Sequence, residues 1–351
     1  KDITNTEKVG EVLSTLKRIV VITVIVEAIA FILIFLSLGS NYFNDSLSER
    51  LYFSVFHSIS AFCNAGFSTL SASIYEGPFR FAYTFQVIVT VTFIIGGLGF
   101  PIVNNIIQLV HYKLVRLFQK KQKERRPWVL GVNTKLILIT TFILLLAGTL
   151  AVLIFEYDNT LSEHDLGGKI VTAFFAGATP RTAGFNNVNM SGLHTGTILI
   201  TLFLMWVGAS PGSTGGGIKT TTFSIASLNF LSMAQGKDRI EIFHREVSSV
   251  SVRRAFATIT LSIVILSLAI FAVRIFDPAL SLTDIVFECF SAFSTVGLSL
   301  GITAELSMAS KIMITLIMFI GRVGALTLLI AFMRKKKLYN YKYPSENILI
   351  N

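Results

Sequence analysis

Apolar positions fall along this chain in a repeating order of long run, short run, loop and long run. Residues 19–38 are about 20 apolar positions broken only by Glu27, the length a membrane helix needs. A polar stretch follows, then a short apolar segment at 51–62 and the loop Asn64-Ala65-Gly66-Phe67. After turn-like residues around Gly77-Pro78, a long run covers 81–111, interrupted by Gly96-Gly97-Leu98-Gly99 and Pro101. The order then restarts. A long run at 136–155, a short one at 168–178 and the loop Thr182-Ala183-Gly184-Phe185 lead into a run at 197–233, interrupted over 208–222. A third cycle has runs at 255–276 and 282–293, the loop Thr295-Val296-Gly297-Leu298 and a last run at 311–333. The loop glycines at 66, 184 and 297 are 118 and then 113 residues apart. Such self-similarity outranks any local reading of the fold. The short segments cannot cross a bilayer, so each reads as a re-entrant helix that dips in and ends at its loop.

This pattern predicts an all-α integral membrane protein, built of repeated span–pore helix–loop–span units arranged around a central ion pore. The expected division is a lead-in at 1–18, pore units at 19–112, 135–234 and 255–334, connectors at 113–134 and 235–254, and a tail at 335–351. Composition agrees. Hydrophobic residues make up 52% of the chain and charged residues only 14%, against about 25% charged in an average soluble protein. Two spans per unit return the chain to one side each time, and charge tests that geometry. Most of the 30 Lys and Arg lie in the lead-in, the two connectors and the tail, while the opposite connectors hold Asp45, Glu49, Glu76, Glu156, Asp158, Glu163, Asp165, Asp277, Asp284 and Glu305. The positive-inside rule puts the basic side in the cytoplasm of a multi-pass plasma-membrane protein, with the short helices entering from outside. The net charge of +10 therefore speaks for membrane topology and not for nucleic acid. Cys63 and Cys289 are too few for a disulfide framework or a zinc site and read as small packing residues. The five scattered His suggest no metal site.

Irregular backbone at membrane depth is tolerated only where protein buries it or it lines a watery cavity. Around a cation pathway, loop carbonyls replace the hydration shell of the ion. Glycine suits such a loop because it reaches backbone angles closed to other residues. Each short helix points the negative end of its dipole at the site. The loops carry no acidic ring, so carbonyls and not carboxylates are expected to select the ion. The interrupted run at 208–222 holds five glycines and Pro211, and helix cannot persist through it at low cost. Its position after the second loop suggests a flexible gate under the pore. A static kink is the alternative.

Two enzyme motifs are mimicked here without their context. The stretch at 208–212 matches a nucleophile elbow, but a membrane span and not a strand precedes it. The stretch at 212–220 resembles a phosphate loop, but Ile218 separates glycine from Lys219-Thr220. Arg322, deep in the last run, is a functional candidate by default; a salt bridge to Glu288 is the alternative. Glu27 either pairs with a neighbouring span or has a purely structural role.

The most specific sequences are ATPRTAGFN at 178–186, GASPGSTGGGIKT at 208–220 and GRVG at 321–324. With them the chain resembles the Trk/Ktr/HKT superfamily of potassium transporters, and most closely the membrane subunit of the Ktr-type system. The resemblance implies filter roles for Asn64, Ala65, Gly66, Phe67, Thr182, Ala183, Gly184, Phe185, Thr295, Val296, Gly297 and Leu298. It implies gate roles for Gly208, Gly212, Gly215, Gly216, Gly217, Lys219 and Arg322, the last bonding gate-loop carbonyls. It further implies potassium as transported ion with sodium as activator or co-ion, no covalent cofactor, a homodimer, and cytoplasmic nucleotide-binding regulatory subunits. The family has four units where this chain shows three, which look like its second, third and fourth; a further unit is expected upstream of Lys1. The competing function is an alternating-access secondary transporter. Broken helices occur there too, but such folds usually have inverted repeats, whereas these all run the same way.

Overall fold

The computed structural model describes residues 3–43, 45–118 and 130–332. The expected tail and half of the first basic connector (119–129) lie outside them. The first unit comprises α1 (Ile3–Ser37), α2 (Leu47–Phe62), α3 (Tyr83–Leu98) and α4 (Phe100–Phe118). The second comprises α5 (Val132–Glu156), α6 (Leu166–Ala178), α7 (Thr195–Trp206) and α8 (Thr220–Ala234). The third comprises α9 (Ser249–Phe276), α10 (Leu282–Phe293), α11 (Met308–Val323) and α12 (Ala325–Phe332). A two-residue-strand hairpin, β1 (Glu241–Ile242) with β2 (Arg245–Glu246), sits in the second connector.

α1, α5 and α9 are the long apolar helices. Their spanning segments Val12–Ser37, Val132–Glu156 and Ser249–Phe276 have mean hydropathies of 3.1, 2.7 and 2.5. α1 starts within the stretch expected as a lead-in, so no structural boundary falls at residue 18. Large side chains such as Ile154 and Phe271 are exposed along these helices. A soluble monomer rarely shows apolar patches of that extent; a bilayer makes them favourable.

The second span of every unit is broken. α3 and α4 meet at 106° across Gly99, within the interruption expected there. α7 and α8 are separated by the non-helical residues 207–219. The last run, expected to be continuous, is also broken: α11 and α12 meet at 87° across Gly324, whose φ of +93° ends the helix.

The short helices have capped beginnings. Ser46 Oγ accepts from Glu49 N at the start of α2, and Asp165 Oδ1 accepts from Gly168 N at the start of α6. The expected segments at 51–62 and 168–178 therefore begin a few residues earlier than their apolar runs. α10 has the bounds its apolar run predicts. Aromatic packing joins the first two units, with Phe53, Phe79, Phe85, Phe93, Phe175 and Phe185 in one buried cluster. Val188, Met205, Phe287, Val296 and Leu298 join the second unit to the third. The cores therefore run from unit to unit and hold the three loops side by side.

Candidate ion pathway and gate

Each short helix ends just ahead of its loop, and the three loops share one backbone pattern. φ is positive at the first position (Asn64 +51°, Thr182 +75°, Thr295 +52°) and at the glycine (Gly66 +71°, Gly184 +81°, Gly297 +93°). Asn tolerates this region, but a β-branched Thr is an outlier there. Such strain collects at functional sites. Alternation of this kind withdraws the loop from helical hydrogen bonding. Among the described residues, none of the carbonyls of 64–66, 182–184 or 295–297 accepts a hydrogen bond. Unpaired carbonyls at membrane depth require a partner, and a dehydrated cation is one.

The loops follow one another in a fixed sense. A Cβ on Gly66 would lie 2.8 Å from the Ala183 carbonyl oxygen, and a Cβ on Gly184 would overlap that of Val296. A Cβ on Gly297 would meet nothing within 4 Å. The three loops thus form an arc whose ends are Ala65 and Gly297, both exposed. Thr182, Ala183, Gly184 and Phe185 in its middle are buried, as are Val296 and Leu298. Thr295 is half-buried, Asn64 is buried, Gly66 is half-buried and Phe67 is exposed.

Hydroxyls behind the loops fix their shape. Ser60 Oγ donates to the Phe67 carbonyl at 2.7 Å, and Thr179 Oγ1 donates to that of Phe185 at 2.6 Å. In the third unit Ser291 Oγ instead accepts from Gly297 N at 3.2 Å. His57, fully buried, sits between the Phe53 carbonyl and Ser68 Oγ, each 2.9 Å from a ring nitrogen. The carbonyl can only accept, so Nδ1 carries the proton and Nε2 accepts from Ser68. Sequence reasoning missed all four residues.

Residues 207–219 lie directly against the loops. Gly215 packs on Thr182 so closely that a Cβ would overlap Thr182 Oγ1; on Gly216 it would overlap Thr295 Oγ1, and on Gly217 it would press on Ser294. A parallel bridge between Val207 and Ile218 closes the loop at its neck, and Gly208 lies against the Gly216 carbonyl. Gly212, exposed, accepts from Phe100 N at 3.3 Å and thereby ties the loop to the bend between α3 and α4. Lys219 Nζ folds back onto the Gly215 carbonyl at 2.6 Å, and the Arg322 guanidinium donates to the Thr214 carbonyl.

Three side chains stand differently from expectation. Arg322, at the end of α11, is exposed in this chain although its guanidinium reaches the Thr214 carbonyl. Glu288 does not pair with it but accepts from Thr303 Oγ1 at 2.6 Å. Cys289 is buried as a packing residue, whereas Cys63 is exposed, its Sγ 3.9 Å from Glu27 Oε1. Among the described residues no group of three His, Cys, Asp or Glu is placed to hold a metal ion.

The family described as "TrkH: Cation transport protein" matches residues 1–341. The chain is 36% identical over 348 residues to the Ktr system potassium uptake protein B of Bacillus subtilis, covering 98% of this chain and 73% of that protein. It is 34% identical over 309 residues to the potassium/sodium uptake protein NtpJ of Enterococcus hirae, covering 86% of this chain and 65% of the relative. Its fold matches the crystal structure of the potassium transporter TrkH from Vibrio parahaemolyticus with a TM-score of 0.69 at 16% identity, over 92% of this chain and 64% of that one. The chain thus spans roughly two thirds to three quarters of the length of these proteins. An all-α membrane fold of this kind, matched to one family across nearly every residue, identifies the chain as a member of the TrkH cation transport family, a family of ion transporters and not of enzymes.

Proposed function

We propose that this protein takes up potassium across the cell membrane through a filter lined by the loops at Gly66, Gly184 and Gly297, and that residues 207–219 gate it. One observation carries this reading: Gly215, Gly216 and Gly217 lie against Thr182, Ser294 and Thr295 with no room for a Cβ between them. A loop seated there blocks the pore, and its glycines let it seat. Lys219 brings a cation to the same loop, and Arg322 holds the loop from α11. The names of the relatives support potassium as cargo, and that of the Enterococcus relative supports sodium as a second ion or co-ion. The reading includes a multi-pass plasma-membrane placement with the basic connectors in the cytoplasm. It also includes a homodimer that works with cytoplasmic nucleotide-binding regulatory subunits.

The test is potassium flux in proteoliposomes. Deleting Gly215–Gly217 should raise flux, and Gly184→Ser, which thrusts a side chain at the Val296 carbonyl, should lower the preference for potassium over sodium. Unchanged flux in the folded deletion variant contradicts the gate, and unchanged ion preference in Gly184→Ser contradicts the filter.

A further inference from the structure

Arg181 stands immediately before the filter position Thr182, yet its side chain turns away from the loop and is almost wholly buried, with 8% exposure. A buried arginine at membrane depth is costly unless its donors are engaged. Among the described residues it forms no ion pair with a carboxylate. Its partners are the two sides of the gate-loop neck. Nη2 reaches the Gly208 carbonyl at 3.4 Å, where the loop leaves α7, and Thr220 Oγ1 at 3.3 Å, where it enters α8. Thr220 reinforces the same junction, its hydroxyl 3.4 Å from the Gly208 carbonyl and its N–H on the Ala209 carbonyl at 3.2 Å. Arg181 and Thr141 both line a mostly apolar cavity of about 20 Å³, and neither Arg181 Nε nor the Thr141 hydroxyl has a protein partner.

We infer that Arg181 is a positioning residue that couples the gate to the filter: it clamps both ends of the loop with one nitrogen while its backbone sets the first filter position of the second unit. The inference rests on the gate reading above. Spreading Gly208 from Thr220 as the loop moves breaks the clamp and frees Arg181. Thr182 then loses its support, and with it the contact its hydroxyl makes to Asn64 across the filter. Loop displacement and ion preference are therefore linked, which a merely structural arginine would not require.

The experiment measures potassium flux and the potassium-to-sodium flux ratio in vesicles, using the full-length protein that carries this chain. Thr220→Val removes the hydroxyl and keeps the shape; Arg181→Lys keeps the charge and loses the fork. Each should raise flux by about five-fold or more, in the range of site-to-site coupling, and lower the potassium preference. Because both act on one clamp, the double variant should show no more than the stronger single effect. Additive effects in the double variant overturn the inference. So does a wild-type flux and ion ratio in both single variants, when deletion of Gly215–Gly217 raises flux. A deletion that leaves flux unchanged overturns the gate reading instead. If Arg181→Lys does not fold, Thr220→Val alone decides: a shift in both flux and ion ratio supports the coupling, and a shift in neither overturns it.

Discussion

The Thr182 hydroxyl donates to the Asn64 side-chain oxygen at 3.1 Å, joining the first positions of the loops at Gly66 and Gly184. The same Asn64 amide donates its two protons to the carbonyls of Ala61, at 3.2 Å, and Phe93, at 3.0 Å. One side chain thus ties its own pore helix, the second span of its unit and the neighbouring loop. A hydroxyl could not make all three bonds, which explains why this loop begins with Asn while the other two begin with Thr.

Asn64→Thr would make the three loops uniform and should nonetheless harm the protein. It strands the Thr182 hydroxyl and removes the Asn64 donors to the Ala61 and Phe93 carbonyls, at about 1–3 kcal/mol for a buried group left unpaired. The expected outcome is a lower melting temperature and a weaker preference for potassium over sodium in vesicle flux. Wild-type values of both would show that the bridge is dispensable.

Glu156 is buried at the end of α5 and receives four donors. They are Thr197 Oγ1 at 2.5 Å, His194 N at 2.8 Å, Asn159 Nδ2 at 2.8 Å and Thr160 Oγ1 at 2.9 Å. The carboxylate ties the loop after α5 to the start of α7 and satisfies the N–H there. In Glu156→Gln the new NH2 faces donors, so bonds on one side are lost. The expected cost is roughly 2–4 kcal/mol, a charged-acceptor bond being worth about 1.5–3 kcal/mol. Thermal unfolding of the purified protein should show the loss, while potassium flux per folded molecule stays near wild type. A large drop in flux with an unchanged melting temperature would move Glu156 from the scaffold to the pathway.

The rhythm of apolar runs made the units, the re-entrant helices and the loop glycines legible, because bilayer thickness and helix rise leave few other solutions. Breaks at membrane depth were legible only where glycines cluster. The break at Gly324 was not, since a pair of glycines such as Gly321 and Gly324 is common in unbroken membrane helices. Ser60, Thr179 and Ser291 stayed hidden for a different reason. A helical hydroxyl ordinarily bonds to its own preceding turn, and nothing in sequence marks those that reach forward to a loop. Arg181 lay inside a quoted motif, but its partners are 27 and 39 residues away and gain meaning only when the neck of the loop is closed.

His164 gives the side opposite the basic connectors a pH dependence. It is buried between the first two units beside Tyr83, whose hydroxyl is 3.1 Å from Nδ1, and beside Arg80, Glu163, Asp165 and Lys169. Arg80 is itself paired with Glu163 at 2.8 Å. Burial, and then the Arg80 cation, push the imidazole below its ordinary value of 6.5. The folded state therefore disfavours the protonated ring. Stability is complete above the unfolded value and falls as pH drops through it toward the folded value. Melting temperature should decline from pH 7 toward about pH 5.5, the window of histidine titration, and His164→Gln should flatten that decline. An equal decline in both proteins would assign the acid sensitivity elsewhere.

Gly99 separates the cost of a backbone angle from the cost of a collision. Its φ of +81° and ψ of 153° belong to a region essentially reserved for glycine, and a Cβ there would come within 2.8 Å of Gly212 C and Ser213 N in the gate loop. Gly301 also has a positive φ, +116°, but there a Cβ would meet nothing closer than Ser191 Oγ at 3.8 Å. Alanine at either position costs about 1–2 kcal/mol from the backbone alone. Only Gly99→Ala also drives an atom into residues 207–219, because α4 starts from Phe100, whose N–H is already bonded to the Gly212 carbonyl. Gly99→Ala should therefore lose more stability than Gly301→Ala, and the two should differ in transport. Gly99→Ala should raise potassium flux by unseating the loop, and Gly301→Ala should leave flux per folded molecule near wild type. Equal flux in the two variants would mean that residues 207–219 keep their seat when α3 and α4 are forced apart from them, and that the loop is held from Arg181 and Arg322 alone.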